Sequence, residues 1–480
     1  MSILKTNTEY DDFPSFKPHD KFPEYPFEEM INSKGGNAYH LIRSLFHLLG
    51  LDQEHFGSKE WNPLGELITP GQHVVIKPNL IRESHGTRSS EWKQIITHPS
   101  IIRAVLDYVF IALKGKGKVT IADGPQTDSD FEKICQISGL DDVVQFFQSK
   151  GLDIELLDLR RDRWFSRGDV IYKRLKLEGD PAGYASINLG EKSELSSYKL
   201  SGRFYGADYN IIELEKFHFP GNHIYILCKT PLDADVFINI PKMKTHKKTG
   251  VTLSLKNLVG INGYRNCLPH HTLGTPDQGG DEFPDSTMKN KFQSTTIQLF
   301  KGILTRFGGT GGPLLRLIKK SGKMVFGDTS NIVRSGNWYG NDTTWRMVLD
   351  LNKAFFFFNG DGSNREKPRK YMTIIDGIIA GEGSGPIEPD QINAGLIVGG
   401  FNPVAVDTAS TILMGFDYQQ IPMIANAWKI KDLPLINSQI NEIRCQSNIP
   451  EWNCALLELV NKSCLKFKPH FGWKGHIERT

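Results

Sequence analysis

The sequence predicts an α/β protein with mostly parallel sheets and crossover helices, plus a mixed, partly antiparallel insertion. Short apolar runs, each suited to one buried strand, end repeatedly in polar residues: VVIK at Lys77, VTIAD at Asp123, FINIP before Lys242 and TIID at Asp376. A segment of helical length separates the first two runs. This strand–helix–strand succession is typical of a right-handed crossover between parallel strands.

The composition is that of an ordinary globular chain. It has 480 residues, of which 39% are hydrophobic and 23% charged, with a formal net charge of +3. This length suits two domains or one large α/β domain with insertions. The charge is too small for the strongly basic face that nucleic-acid binding requires. We therefore expect no nucleic-acid partner, and the sequence leaves the oligomeric state open.

The sequence leads us to expect neither a targeting segment nor a membrane span. The N-terminal stretch MSILKTNTEYDDFPSFKPHD has no apolar core of the signal-peptide kind. No apolar run approaches the ~18–20 residues that cross a bilayer. A cytoplasmic location without a membrane partner is therefore expected.

The cysteines give no sign of a metal or cluster motif. None of the six forms a CxxC pair, so their spacing supports neither an iron–sulfur cluster nor a structural zinc site. Reduced, buried thiols are the better interpretation. They are Cys135, Cys228, Cys267, Cys445, Cys454 and Cys464.

The first half of the chain begins with an arm and continues as alternating helices and strands. Residues 1–35 show no clear periodicity and are expected to wrap the surface or to stay partly loose. The elements that follow are a helix near 38–49 ending at Gly50, a strand at 74–77 after the Pro70-Gly71 turn, a helix at 97–114 with Pro99 in its first turn, a strand at 119–123, a helical stretch near 128–148 and a strand near 154–157.

The second half returns to buried strands after a polar insertion. A strand is predicted at 234–241, a buried strand at 354–358, strands in MTIIDG and GLIVGG, and a helix from Pro403. The predicted organisation is an N-terminal arm and helix at 1–70, an α/β domain at 71–415 with insertions at about 160–225 and 262–340, and a C-terminal extension at 416–480.

The polar strand ends indicate a shared functional site. In open parallel sheets, ligands bind outside the carboxyl ends of the strands, where loops and helix N-termini converge. One such ending alone is more often a turn or cap. Several endings of mixed charge favour a common site that contains Lys77, Asn79, Asp123 and Asp376.

The segment 242–256 favours an anionic ligand. It contains Lys242, Lys244, His246, Lys247, Lys248 and Lys256. Hydroxyl and amide donors suited to an anion cradle come from Thr245, Thr249, Gly250 and Thr252. Lys256 and Asn257 fall in an apolar helix-like run, where a lysine needs a partner such as a carboxylate or phosphate ligand. A solvated basic face is the alternative. The Walker A pattern is absent.

Carboxylates supply a second side to this site. Asp376 and Glu382 lie in the Gly-rich run IIDGIIAGEGSGP, and Asp407 lies about one turn into the helix that starts near Pro403. With His246, these oxygens either bind a divalent metal or divide acid and base roles. The alternative is a plain loop charge for Glu382 and a lysine partner for Asp407.

Three further features are weaker. His98 is expected to shape a helix start, and His270-His271 lies in a loop. GGTGG at Gly308–Gly312 follows no clear strand, as a dinucleotide fingerprint would require. Asp342 and Arg346, at i and i+4, form either a helix pair or part of the pocket wall.

These phrases together resemble the family catalogued as domain of unknown function 362. The matching pieces are VVIKPNL, THP, VTIADGP, ADVFINIPKMKTHKKTGVTLSLKNLVGING, IIDGIIAGEGSGP and NPVAVDTASTILMG. The resemblance implies the architecture and no settled activity. Some members append ferredoxin-like cysteine motifs, which this chain lacks. A distant, fold-level similarity is to the nickel-pincer lactate racemase family, where His246 and Lys256 would be the nearest equivalents; its repeated histidines and Gly-Gly-Arg-Lys run are missing here.

The leading hypothesis is an enzyme acting on a small carboxylate or phosphate metabolite. Lys77, Lys244 and Lys256 would bind the anion and His246 would transfer protons, while Asp123, Asp376 and Glu382 would act as bases or metal ligands. The alternative is a non-catalytic factor that holds an anionic cofactor. Cofactor and metal identity stay open.

Overall fold

The centre of the fold is a ten-stranded sheet with helices on both faces. The computed structural model describes residues 1–7, 9–10, 16–18, 20–27, 37–167, 170–198, 202–206, 211–291, 294, 333 and 335–479. The described helices are α1 (Ala38–Leu48), α2 (Pro99–Leu113), α3 (Phe131–Ser138), α4 (Leu140–Ser149), α5 (Ile211–Glu215), α6 (Lys229–Asp233), α7 (Ser254–Asn257), α8 (Thr344–Phe357), α9 (Pro403–Leu413) and α10 (Pro422–Ala427).

The described strands divide between the central sheet and smaller antiparallel pairs. Those of the central sheet are β1 (Ser2–Lys5), β2 (His73–Pro78), β3 (Lys118–Asp123), β4 (Asp153–Asp158), β11 (Val236–Ile240), β12 (Lys242–His246), β13 (Gly250–Thr252), β15 (Lys370–Ser384), β16 (Glu388–Gly400) and β17 (Gln446–Ser447). The others are β5 (Asp162–Arg167), β6 (Val170–Lys176), β7 (Tyr184–Asn188), β8 (Phe204–Tyr205), β9 (His218–Phe219), β10 (Asn222–Cys228) and β14 (His271–Thr272).

The order of the central sheet is β17-β1-β16-β15-β11-β2-β3-β4. From β15 to β4 all neighbours are parallel, while β16 runs antiparallel to both β15 and β1. After Pro241 the chain continues from β11 into β12, which pairs with the outer part of β15. The predicted mostly parallel α/β class is confirmed, and β5 with β6 and β7 with β10 are antiparallel pairs in the predicted insertion.

Strict alternation along the strands builds two cores. Val75 and Phe237 face the core under α7, α8, α9 and α10, whereas Val74 and Ile238 face the core under α1, α2, α3 and α4. Both faces of a parallel sheet are covered in this way, which is why its strands read as continuous apolar runs. Where α2 begins, His98 accepts a hydrogen bond from the Ser100 amide and Pro99 takes the first helical position, so its predicted role is confirmed.

Two local expectations were wrong. Ala354–Phe358 was expected to be a buried strand, but residues up to Phe357 continue α8, with Ala354 and Phe355 buried in the core. A short apolar run has the same pattern in a buried strand as in a buried helix, so the helical segment before it decides which of the two forms. The N-terminal arm is not a surface wrap throughout, because Ser2–Lys5 pairs with β16 inside the sheet.

The strand order of the central sheet reverses beside β2. Strands β2, β3 and β4 follow one another in one direction, while β11 lies on the other side of β2. Such a switch point opens a crevice outside the carboxyl ends of the two strands that flank it. No helix among the described residues is long and apolar enough to cross a membrane.

Candidate functional site

A cavity of about 420 Å³ lies at this switch point. We call it the strand-end cavity. It is lined by the ends of β2 and β3, by the segment from His246 to Arg265, by residues near His270 and by the tip of the β15–β16 hairpin at Pro386 and Ile387. The sequence-predicted residues on its wall are Lys77, Asn79, Asp123, His246, Lys256 and Asn257.

Lys77 and Asp123 form a buried ion pair at the base of the cavity. Lys77 Nζ lies 2.6 Å from Asp123 Oδ1, and both side chains are almost fully buried. Lys77 Nζ also donates to the carbonyl of Pro78, and the second carboxylate oxygen of Asp123 accepts from the Leu80 amide. Burial lowers the pKa of Lys77, and Asp123 opposes that shift. The predicted anion-binding side and carboxylate side therefore meet here as partners.

Gly260 makes this pair sterically possible. A Cβ at Gly260 would lie 2.7 Å from both Cε and Nζ of Lys77, and closer still to the Asp123 carboxylate. The Gly260 carbonyl accepts from the Gly124 amide at 2.8 Å. The backbone after α7 is thus held directly against the ion pair, an approach that only glycine allows.

A chain of amides connects the strand ends. Asn257 Oδ1 accepts from Lys77 Nζ at 3.2 Å and from Asn79 Nδ2 at 2.9 Å. Asn79 Oδ1 in turn accepts from Lys244 Nζ at 2.8 Å. Lys244 is fully buried and does not line the cavity, and burial together with neighbouring lysines lowers its pKa strongly. Lys244 thus donates to protein acceptors, Asn79 Oδ1 and the Ile95 carbonyl, and its predicted anion-binding role stays a prediction.

The His246 ring is fixed by its own loop. Its Nδ1 accepts from the amides of Lys248 at 3.1 Å and Thr249 at 3.2 Å. The neutral ring must then carry its proton on Nε2, because a nitrogen that accepts two N–H bonds holds no proton. Burial and nearby lysines, Lys256 first among them, lower the pKa of His246 far below its usual value. His246 therefore presents an N–H donor at neutral pH, and Thr249 orients it rather than lining the cavity.

Lys256 is the titrating group of the cavity. Within the described residues its Nζ has no hydrogen bond or ion pair, and it lines the wall beside Lys77 and Arg265. Burial first, then these two cations, lower the pKa of Lys256 from 10.5 to about 7. At neutral pH the amine is therefore divided between its charged and neutral forms.

Arg265 was missed by sequence reasoning. One of its terminal nitrogens donates to the carbonyls of Gly124 and Pro125, while its Nε is buried without a partner in the described part of the chain. Burial lowers its pKa. The available signal was its place two residues after Gly263, where the family-like segment ends, but a lone arginine outside a strand end carries no pattern of its own.

The cavity wall has a large excess of cationic and donor groups. Asp123 is the one carboxylate among its described lining residues, against four lysines, Arg265 and three histidines. Three more lining atoms, Thr252 Oγ1, Gln126 Oε1 and Asn337 Oδ1, are buried without a hydrogen-bond partner in the regions described. Buried polar groups are normally bonded, so these atoms indicate the place of a ligand or of water.

Asp376 belongs to a different cluster. It pairs with Lys242 at 3.0 Å, accepts a short hydrogen bond from Tyr10 and accepts from the His98 amide at 2.8 Å. Lys242 Nζ lies 2.6 Å from Tyr10 Oη, and the rings of Tyr10 and His98 stack at 3.8 Å. None of these side chains lines the strand-end cavity. The cluster anchors the N-terminal arm to the sheet, which no local pattern around Tyr10 predicts.

Glu382 and Asp407 serve two other local structures. Glu382 accepts from the amide of Lys468 at 2.9 Å and pairs with its ammonium at 3.2 Å. Asp407 accepts from the amides of Ser254 and Leu255, both at 2.8 Å, at the start of α7. The three carboxylates predicted as metal ligands thus bind separate protein donors, and no group of three or more metal-ligating residues occurs in the part of the chain described.

Of the weaker sequence features, some line the strand-end cavity and others do not. His270 lines the cavity, and burial with nearby cations lowers its pKa to about 3. Arg346, in the first turn of α8, pairs at 3.0 Å with Asp342, which lies just before that helix, and neither residue lines the cavity. The GGTGG run at Gly308–Gly312 lies outside the described residues.

Comparisons with known proteins assign the architecture more firmly than the chemistry. The family model described as domain of unknown function (DUF362) matches residues 74–185 and 195–411. A curated relative, a thylakoid-associated protein of Synechocystis sp., is 22% identical over 396 residues, which cover 82% of this chain and 77% of that protein.

Two solved structures are more distant. A Thermotoga maritima protein shares 10% identity with a TM-score of 0.29 and covers 76% of this chain, and the lactate racemase apoprotein of Thermoanaerobacterium thermosaccharolyticum shares 12% with a TM-score of 0.28 and covers 74%. The match spans only 55% and 51% of those two chains. These TM-scores carry no conclusion about the site.

Proposed function

The chain belongs to the DUF362 family, and we propose that it is an enzyme acting on a small anionic metabolite bound in the strand-end cavity. Because this family has no assigned activity, the proposal rests on the residues of the site. The ligand would be a carboxylate or a phosphate. The observation that carries the proposal is the unpartnered Lys256 amine among further cations, with Asp123 as the one carboxylate on the described wall and already paired with Lys77.

Electrostatics supports an anion in this position. Burial lowers the pKa of Lys256 most, and Arg265 and Lys77 lower it further. Burial also lowers the pKa of Lys77, and Arg265 adds to that shift, so the charged forms of both lysines are destabilised. A bound anion would reverse this effect, because an opposite charge nearby favours the cationic forms. A bound anion would therefore stabilise the cationic forms that these neighbours now disfavour.

The same residues support catalysis rather than storage alone. A general acid or base works best when its pKa lies near the working pH, and the pKa of Lys256 is about 7. The proton-transfer role that the sequence suggested for His246 passes to Lys256, since His246 stays neutral and donates from Nε2. Arg265 and the Lys77–Asp123 pair would orient the anion beside the amine.

Calorimetric titration with inorganic phosphate and with oxalate tests the binding step. Lys256→Met should weaken binding by about ten- to a hundredfold, since a hydrogen bond to a charged group contributes ~1.5–3 kcal/mol. Lys133→Met, on the exposed face of α3, is the matched control and should bind as the unmodified protein does. Equal affinities for the two variants would contradict the proposal.

Native mass spectrometry of freshly purified protein separates catalysis from cofactor storage. A storage factor would carry a tightly bound anion through purification and leave it unchanged, whereas an enzyme would release or convert it. Cytoplasmic location and the absence of nucleic-acid and membrane partners stay predictions. Cell fractionation checks the location, because the Synechocystis relative is described as thylakoid-associated.

A further inference from the structure

The surroundings of Lys256 distinguish it from the other lysines of the strand-end cavity. Lys77 is paired with Asp123, Lys248 donates to the carbonyl of Ser335, and Lys247 lies in the field of the Glu388 carboxylate. Lys256 has no acceptor within the described residues, and the charged groups that act on it are the cations Arg265 and Lys77. Its amine is therefore accessible to a ligand.

A neutral lysine amine in such a place is a nucleophile. Lysines become nucleophilic when burial or a neighbouring cation deprotonates them, and their common reaction is addition to a carbonyl carbon. At pH 7 about half of an amine with a pKa of about 7 is neutral, against roughly one part in two thousand of an exposed lysine with a pKa of ~10.4. Surface lysines should therefore react with a carbonyl compound far more slowly than Lys256.

Two neutral donors are available for the oxygen of a carbonyl compound. His246 lines the cavity, and because its Nδ1 accepts from two amides of its own loop, its proton is on Nε2. Thr252 Oγ1 is buried, lines the cavity and has no partner in the described part of the chain. Neither donor is charged, so neither repels a positively charged intermediate. The cations Arg265 and Lys77 remain for an anionic group on the same ligand.

We propose that Lys256 forms an imine with a small carbonyl compound that also carries an anionic group, a 2-oxo acid or a phosphorylated aldehyde. The Nζ lone pair attacks the carbonyl carbon, a proton moves from nitrogen to oxygen to give a carbinolamine, and water then leaves. Amine and carbonyl become imine and water without a change of oxidation state. When the imine takes up a proton, the anionic group of the ligand compensates its charge. This inference rests on the proposed function and names its substrate class.

Borohydride trapping tests the covalent step. The full-length protein is incubated with pyruvate in one arm and glyceraldehyde 3-phosphate in the other, reduced with sodium borohydride, and measured by intact mass and peptide mapping. We expect one reduced adduct per chain, located on Lys256, in at least one arm, formed about a thousandfold faster than adducts on surface lysines. Lactate, which has the carboxylate of pyruvate without its carbonyl, should give none.

Variants separate the nucleophile from its surroundings. Lys256→Arg keeps a cation of similar length and should lose the adduct while it still binds phosphate, and Lys133→Met, on the exposed face of α3, should keep the adduct on Lys256. Adducts spread evenly over lysines such as Lys133, or the absence of an adduct at Lys256 in both arms, would overturn the inference. If phosphate and oxalate still bind in that case, the proposed anion site stands and only the covalent step fails. If they do not bind either, both are wrong.

Discussion

Replacement of Gly260 by alanine tests the arrangement at the base of the strand-end cavity. The added Cβ would come within 2.7 Å of Cε and Nζ of Lys77 and even closer to Asp123 Oδ1, so something has to move. A buried side chain can move aside at low energetic cost only if an alternative rotamer is open to it. Here the Leu80 amide holds Asp123, while the Pro78 carbonyl and Asn257 hold Lys77.

The expected loss of stability depends on which interaction the substitution breaks. Overpacking alone costs ~1–3 kcal/mol, but opening a buried ion pair leaves two uncompensated charges and costs about 3–5 kcal/mol. Because the pair is only 2.6 Å long and nearly inaccessible to solvent, we expect the larger value for Gly260→Ala. The free energy of unfolding is measured by urea denaturation followed by tryptophan fluorescence.

A double-mutant cycle identifies the cause. Asp123→Ala removes the carboxylate that the new methyl group would strike, so Gly260→Ala should cost about 2 kcal/mol less in that background, within the usual range for residues in contact. An equal cost in both backgrounds, or a single-variant cost below about 1 kcal/mol, would refute the idea that Gly260 is required by the ion pair.

Further predictions concern the titrating lysine and two anchors. Acetylation of Lys256 by a water-soluble reagent, followed by peptide mapping, should show a midpoint near pH 7, since its folded pKa is lowered from 10.5 to about 7; a midpoint above pH 9 would contradict the described environment. Tyr10→Phe should cost about 1.5–3 kcal/mol of stability, because it removes a buried hydrogen bond to the charged Asp376. Faster limited proteolysis near the N-terminus should accompany that loss, and an unchanged digestion pattern would argue against the anchor. Glu382→Gln should lower stability by about 1 kcal/mol through its bonds to Lys468, and unchanged binding of added Mn²⁺ in this variant would distinguish an anchor from a metal ligand.

The linkage of Lys256 to stability has a defined sign. Its folded pKa is lower than its unfolded value, so between about pH 7 and pH 10.5 the unfolded chain binds the additional proton. The contribution of this residue to the free energy of unfolding therefore rises with pH through that window and is constant below it. A bound anion would raise the pKa of Lys256 and reduce this dependence.

Much of the fold could be predicted because its signals are local. Each strand of the parallel block is a short apolar run with a polar or proline stop, and His98-Pro99 is a helix start that can be identified from adjacent residues alone. The run at Ala354–Phe358 was misassigned for the same reason. Its apolar residues fit a strand as well as a helix, and only the helix that begins at Thr344 decides between the two.

The candidate site was predicted as a region rather than as a set of contacts. Six of the predicted residues line the cavity, because parallel strands bring their carboxyl ends to one edge of the sheet. Arg265 could not be assigned from sequence, since its importance depends on which atoms lack a partner after folding. Thr252 was predicted as part of an anion cradle, but only the folded chain shows that its hydroxyl lacks a partner among the described residues. His246 was identified as a site residue, but its protonation depends on two amides of its own loop.

The sequence by itself determined that buried strands end in lysines, asparagines and carboxylates at one edge of a parallel sheet. Tertiary structure alone decided the partners of these residues. The sheet order places β11 between β2 and β15, Asp123 pairs with Lys77, and Asp376 pairs with Lys242. Pairing depends on contacts between residues far apart in the chain, which no local pattern contains. These contacts leave the Lys256 amine without an acceptor in the described part of the chain, and its proposed chemistry follows from that.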